Sequence, residues 1–172
     1  MNLYPGTVPA QLADLPADGI DQVRVTLKQM CRFVRQYKVD TGIRSLAQDL
    51  TRDLPSRAFT DELKALQNFV RDRVRYVRDV RDVETVQTPV RTLEVASGDC
   101  DDKAVLLAAL LESIGFRTRF HAVGIDGKSY SHVLAEGYDP VKRQWVPLEC
   151  IVDGAEPGWF PPGVTRSMFA HV

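Results

Sequence analysis

The chain has 172 residues, 44% hydrophobic and 26% charged, enough for one domain with a sizeable core. Its 22 basic and 23 acidic residues leave a formal net charge of -1, which argues against a protein that grips nucleic acid or a membrane surface through excess Lys and Arg. No apolar run approaches the roughly 20 residues of a membrane span, the first residues (Met1 to Gly6) lack the basic and apolar segments of a signal peptide, and Cys31, Cys100 and Cys150 are odd in number and far apart, unlike a disulfide framework. A soluble protein of a reducing compartment, cytoplasmic and without nucleic-acid or membrane partners, is expected.

Residues 1–19 carry Pro5, Gly6, Pro9, Pro16 and Gly19, too much punctuation for a regular element, and are expected to form an extended arm. The remainder, 20–172, is expected to be one domain. Ile20, Val23, Leu27, Met30, Cys31 and Val34 recur at steps of three and four and predict a helix ending near Tyr37. Gly42 and its polar neighbours predict a break, followed by a short helix over 45–50 and a stop at Pro55. Thr60 is the expected N-cap of the next helix, with Asp61 and Glu62 in its first turn and Leu63, Leu66, Phe69, Val70, Val74 and Val77 as its buried face. The Arg/Asp-laced stretch 71–84 reads as a solvated face.

A loop after Thr88-Pro89 leads to a helix over 100–114 with Gly115 as its stop. Its interior, Ala104 to Leu111, is apolar nearly all round and belongs inside a core. Strands follow: 116–125, a turn at Asp126-Gly127, a return strand over 130–138, a second turn at Asp139-Pro140, and a third strand over 145–148. The Pro/Gly-rich tail is expected to pack irregularly around Trp159 and Phe160. Helices first, then an antiparallel sheet, is an α+β plan with a central buried helix packed on the sheet.

Cys100 falls at the first turn of the buried helix, where free N–H groups stabilise a thiolate. Gly98 permits an unusual turn there, and Asp99 is a natural cap. Asp99, Asp101 and Asp102 oppose the thiolate, so an imidazolium is needed beside the sulfur. His132 on the return strand is that group, and Glu149, closing the next strand, is the carboxylate that would orient its ring. Asp139 is the fallback acid. The Cys100 N–H is the first expected oxyanion donor and Gln87 the candidate second. No cofactor is expected: Cys-x-x-Cys and His-x-x-x-His spacings are missing, as is a Gly-rich phosphate loop. Cys31 reads as core and Cys150 as a buried strand-end thiol.

Gly98-Asp99-Cys100-Asp101-Asp102-Lys103-Ala104 with the apolar helix behind it resembles the nucleophile segment of the transglutaminase-like superfamily. Tyr130-Ser131-His132-Val133-Leu134-Ala135-Glu136 resembles that family's histidine strand, and Trp145-Val146-Pro147-Leu148-Glu149 its acid strand. The likeness covers about residues 60–160. It implies a papain-like α+β fold in which Cys100 attacks a carbonyl, His132 acts as base and then acid, and Glu149 stands where the family usually has Asp. The activity implied is acyl transfer through a cysteine thioester on a protein or peptide amide, by a peptidase, an amidase or a crosslinking enzyme. The alternative from the same resemblance is an inactive adaptor, a bacteriophage or prophage virion or assembly component whose partners are other virion proteins.

Overall fold

The computed structural model describes residues 11–12, 19–78, 85–125, 127 and 129–172. Apart from Gln11, Leu12 and Gly19, the expected N-terminal arm lies outside the described residues. Helix α1 spans Gly19–Tyr37 and buries Thr26, Leu27, Met30, Cys31, Phe33 and Val34. Ile20, expected on this stripe, is 41% exposed, because the first turn overhangs the core. Gly42 does not break the chain. It lies in the first turn of α2 (Thr41–Thr51), where the Asp40 carboxylate accepts the N–H groups of Gly42 and Ile43 at 2.9 and 3.0 Å. A good cap outweighs one glycine in a terminal turn.

Helix α3 (Phe59–Arg73) starts without a side-chain cap, at Ala58. Thr60 is spent instead on a tertiary contact, its hydroxyl donating to Asp139 at 3.3 Å and accepting from Lys142 at 3.0 Å. The helix stops before Val74, so Val77 is exposed rather than buried. Of the charged stretch 71–84, residues 79–84 lie outside the described residues; Asp72, Arg73, Arg75 and Arg78 are exposed, as a solvated face requires.

Short pairings then carry the chain to the central helix. β1 (Gln11–Leu12) pairs antiparallel with β3 (Thr85–Val86), and β2 (Arg75–Tyr76) pairs parallel with β4 (Ser97–Gly98). The expected loop after Thr88 holds a helix, α4 (Pro89–Val95), with the Thr88 hydroxyl as cap and Pro89 at its first position. Helix α5 (Cys100–Ser113) is the centre of the molecule. Val105 to Leu111 are all fully buried, with α1, α2, α3 and α4 around it and the sheet beneath. Gly115, at φ +100°, turns the chain out of the helix.

The sheet is antiparallel throughout, in the order β7-β6-β5-β8, from β5 (Thr118–Gly124), β6 (His132–Asp139), β7 (Gln144–Leu148) and β8 (Arg166–His171). The turn expected at Asp126-Gly127 is a longer connection over 125–131, with Asp126 outside the described residues. Strand β8 lies in the tail that composition assigns to irregular packing; its bonds come from β5, a partner more than 40 residues away along the chain. Phe120, Ala122, Val133, Ala135, Val146 and Leu148 face the helical core. Gly137 lets α3 close on the sheet, since a Cβ there would sit 2.5 Å from the Leu63 side chain.

Candidate active site

The site forms where the N-terminus of α5 meets the start of β6. Asp99 is the N-cap and Cys100 the first residue of the helix. Asp99 and Asp102 cap one another: the Asp99 carboxylate accepts the Asp102 N–H at 3.4 Å, and Asp102 accepts the Asp99 N–H at 3.2 Å. Gly98 serves this junction by its size rather than by an unusual φ, because a Cβ there would lie 2.6 Å from the Asp102 Cβ.

Asp102 is 1% exposed and accepts two further hydrogen bonds, from the Gln87 backbone N–H at 2.6 Å and from Gln87 Nε2 at 2.7 Å. Burial pushes its carboxyl up to about 7, the Asp99 charge adds to the rise, and these donors oppose it. Gln87 Nε2 also reaches the Ser97 carbonyl at 3.4 Å. The side chain expected to help bind an oxyanion is therefore engaged in holding the start of α5. The carboxylates of Asp99, Asp101 and Asp102 come within 4.8 Å of one another, and the charges of Asp101 and Asp99 act on the sulfur.

Burial pushes the Cys100 thiol up to about 12, and the charges of Asp101 and Asp99 push the same way. Backbone hydrogen bonds from Val133 and Asp101 pull it down by less. The favourable helix terminus is outweighed, as desolvation of a thiolate predicts. Cys150 is likewise pushed up to about 12 by burial, and Cys31 is raised for the same reason.

His132 opens β6 and meets Glu149 just beyond the end of β7. Its Nε2 lies 2.7 Å from Glu149 Oε2, with the carboxylate side chain 1% exposed. The longer acid thus reaches the ring. Glu149 Oε1 accepts the Ile151 N–H at 2.8 Å. Burial alone would raise this carboxyl; the His132 hydrogen bond and charge, with backbone donors, hold it below the usual carboxylate range. Gln67 on α3 pins the same corner, Nε2 donating to the Glu149 and Ala155 carbonyls at 2.8 and 3.0 Å. An ionised Glu149 accepts from Nε2–H, which leaves Nδ1 as the basic nitrogen. Asp139 stands at the opposite end of β6, about 23 Å away at ~3.3 Å per residue, and caps the turn through the Val141 and Lys142 N–H groups.

Cys100 and His132 line one cavity of about 150 Å³, together with Val23, Thr26, Leu27 and Met30 from α1, and with Asp99, Asp101, Ala122 and Tyr130. The family model of the transglutaminase-like superfamily matches residues 44–150. The chain belongs to that superfamily. Similar solved structures include two described as putative proteases. One, from Cytophaga hutchinsonii, has 15% identity and a TM-score of 0.55, with 84% of this chain aligned to 56% of that one. The other, from Parabacteroides distasonis, has 14% identity and a TM-score of 0.57, with 77% aligned to 26%. This chain thus spans about half and about a quarter of their lengths. Calcium-bound LapG of Legionella pneumophila has 18% identity and a TM-score of 0.50 over 83% of both chains. At these identities the likeness is one of fold, and the fold is transglutaminase-like and papain-like. The comparison with curated proteins found no match.

Sequence reasoning missed the α1 wall of the cavity, the Asp102–Gln87 clamp and the Gln67 brace. The apolar stripe of α1 was the available signal for the wall. The clamp had none, because a Gln and an Asp 15 residues apart carry no mark of their pairing. His121 is a structural residue. It lies among Glu136 (Nδ1, 2.8 Å), Ser167 (Nε2, 2.8 Å) and the rings of Phe160 and Phe169.

Proposed function

We propose that this chain is a thiol-dependent acyl-transfer enzyme acting on protein or peptide amides. Cys100 is the nucleophile, His132 the general base and acid, and Glu149 the group that orients the ring. The observation that carries this reading is the part-buried 2.7 Å His132–Glu149 contact, made by a histidine that lines one cavity with Cys100. Because the thiol is pushed up to about 12, it is neutral at rest, and His132 Nδ1 takes its proton as Sγ attacks the carbonyl carbon. The Cys100 N–H, at the first residue of α5, is the donor assigned to the developing oxyanion. As the C–N bond breaks, the imidazolium returns the proton to the leaving amine and a Cys100 thioester remains. Water then releases an acid, the peptidase or amidase outcome; a primary amine instead yields a crosslink. No cofactor enters these steps.

The test is mass-spectrometric trapping of an acyl adduct on Cys100 with an activated peptide amide. An adduct in the wild type that disappears in Cys100→Ala and falls steeply in His132→Ala supports the reading; no adduct sinks it. The raised thiol of Cys100 among carboxylates favours a second reading, a protein that keeps the fold without turnover, of which a virion or assembly component of a phage is one form. Among the described residues no helix is long and apolar enough to cross a membrane.

A further inference from the structure

The lining of the cavity at Cys100 is mixed. Asp99, Asp101 and Ser131 give it polar groups. Much of the rest of the lining comes from one helix. Val23, Thr26, Leu27 and Met30 stand at i, i+3, i+4 and i+7, one face of α1. Helix α1 lies wholly outside residues 44–150, so the family match does not account for this wall. Thr26, Leu27 and Met30 are 8%, 4% and 0% exposed. Side chains so enclosed are held in place by packing, so this wall is rigid.

We propose that this face of α1, with Ala122 and Tyr130, is a specificity pocket that takes an apolar side chain of leucine or phenylalanine size from the substrate residue next to the attacked carbonyl. The inference rests on the acyl-transfer reading of Cys100 and adds the substrate class to it. Size bounds it: the whole cavity, reacting centre included, is about 150 Å³, the size of a cavity that accepts a benzene ring. Position carries it, since the pocket shares Cys100 and His132 with the reacting centre. Charge narrows the class further, because Asp99 and Asp101 in the lining disfavour an acidic neighbour in the substrate.

The test uses the full chain and three peptidyl acyloxymethyl ketones that carry Gly, Leu or Phe at the residue bearing the reactive ketone. The sulfur displaces the carboxylate leaving group, and labelling of Cys100 is followed by mass spectrometry, with iodoacetamide as a reagent that has no side chain to seat. The Leu and Phe probes are expected to label at least about tenfold faster than the Gly probe, the discrimination that apolar pockets provide. Val23→Trp, at the partly exposed rim, is expected to bring that ratio toward one. Leu27→Ala is expected to shift preference from Leu to Phe by enlarging the pocket. Equal rates for all three probes, or an unchanged ratio in Val23→Trp, would overturn the pocket while iodoacetamide labelling of Cys100 leaves the thiol reading standing. Failure of every reagent to label Cys100 would remove the thiol reading and this inference with it.

Discussion

Glu149→Gln is the most informative single change, because both carboxylate oxygens already have donors. Oε2 receives the His132 Nε2–H and Oε1 the Ile151 N–H, at 2.7 and 2.8 Å. Glutamine is nearly the same shape but offers one oxygen and one NH₂. If its oxygen stays on Ile151, the NH₂ faces His132 Nε2, which must then become the acceptor, and the ring proton moves to Nδ1. The nitrogen meant to take the Cys100 proton is then already protonated. If the amide flips, the NH₂ faces the Ile151 N–H and leaves a donor buried against a donor. The second arrangement costs about 1–3 kcal/mol, a fall in Tm of about 2–12 °C for a chain of this size. The first removes the base; the equivalent carboxylate-to-amide change in a serine-protease triad lowers kcat by about 10⁴. The assay is acyl transfer from a leucyl or phenylalanyl amide, read alongside a thermal melt. Cys100-dependent turnover in Glu149→Gln within about tenfold of the wild type would refute the assigned role of the His132–Glu149 pair.

Other outcomes follow from the same geometry. Alkylation of Cys100 should rise with pH through the alkaline range rather than level off near 8, since the thiol is pushed up to about 12. Asp101→Asn should lower that midpoint and speed alkylation at pH 8, because the Asp101 charge raises the thiol; a slower variant would contradict the electrostatic account. Asp102, raised to about 7 by burial, favours the folded state when protonated. Its contribution is complete below its unfolded pKa near 3.9 and is lost as pH rises toward 7. The stability of the wild type relative to Asp102→Asn should therefore fall between about pH 4 and 7 and flatten above, measurable from urea midpoints at a series of pH values. Gly137→Ala should destabilise by about 1–3 kcal/mol through overpacking against Leu63, read as a lower urea midpoint with an unchanged m-value.

The elements with the clearest signals in the sequence are those whose stabilising partners are close by in the chain. The apolar run from Ala104 to Leu111 could lie only inside a core, and α5 is central. The stripe from Val23 to Val34 made α1 amphipathic, and Gly115 marked where α5 had to stop. Segments Gly98–Ala104, Tyr130–Glu136 and Trp145–Glu149 singled out Cys100, His132 and Glu149 through their resemblance to a family, and the fold brings those residues to one corner. What stayed hidden depends on partners far away in the chain. Strand β8 has a weak pattern of its own and forms because β5 offers it a free edge. Thr60 gives up a capping role to bind Asp139, and Gln87 turns from the expected oxyanion donor into a clamp on Asp102. Even the chemical state of Cys100 was undecidable from residue types: a helix N-terminus lowers a thiol pKa and burial raises it, and only packing determines how much water reaches the sulfur.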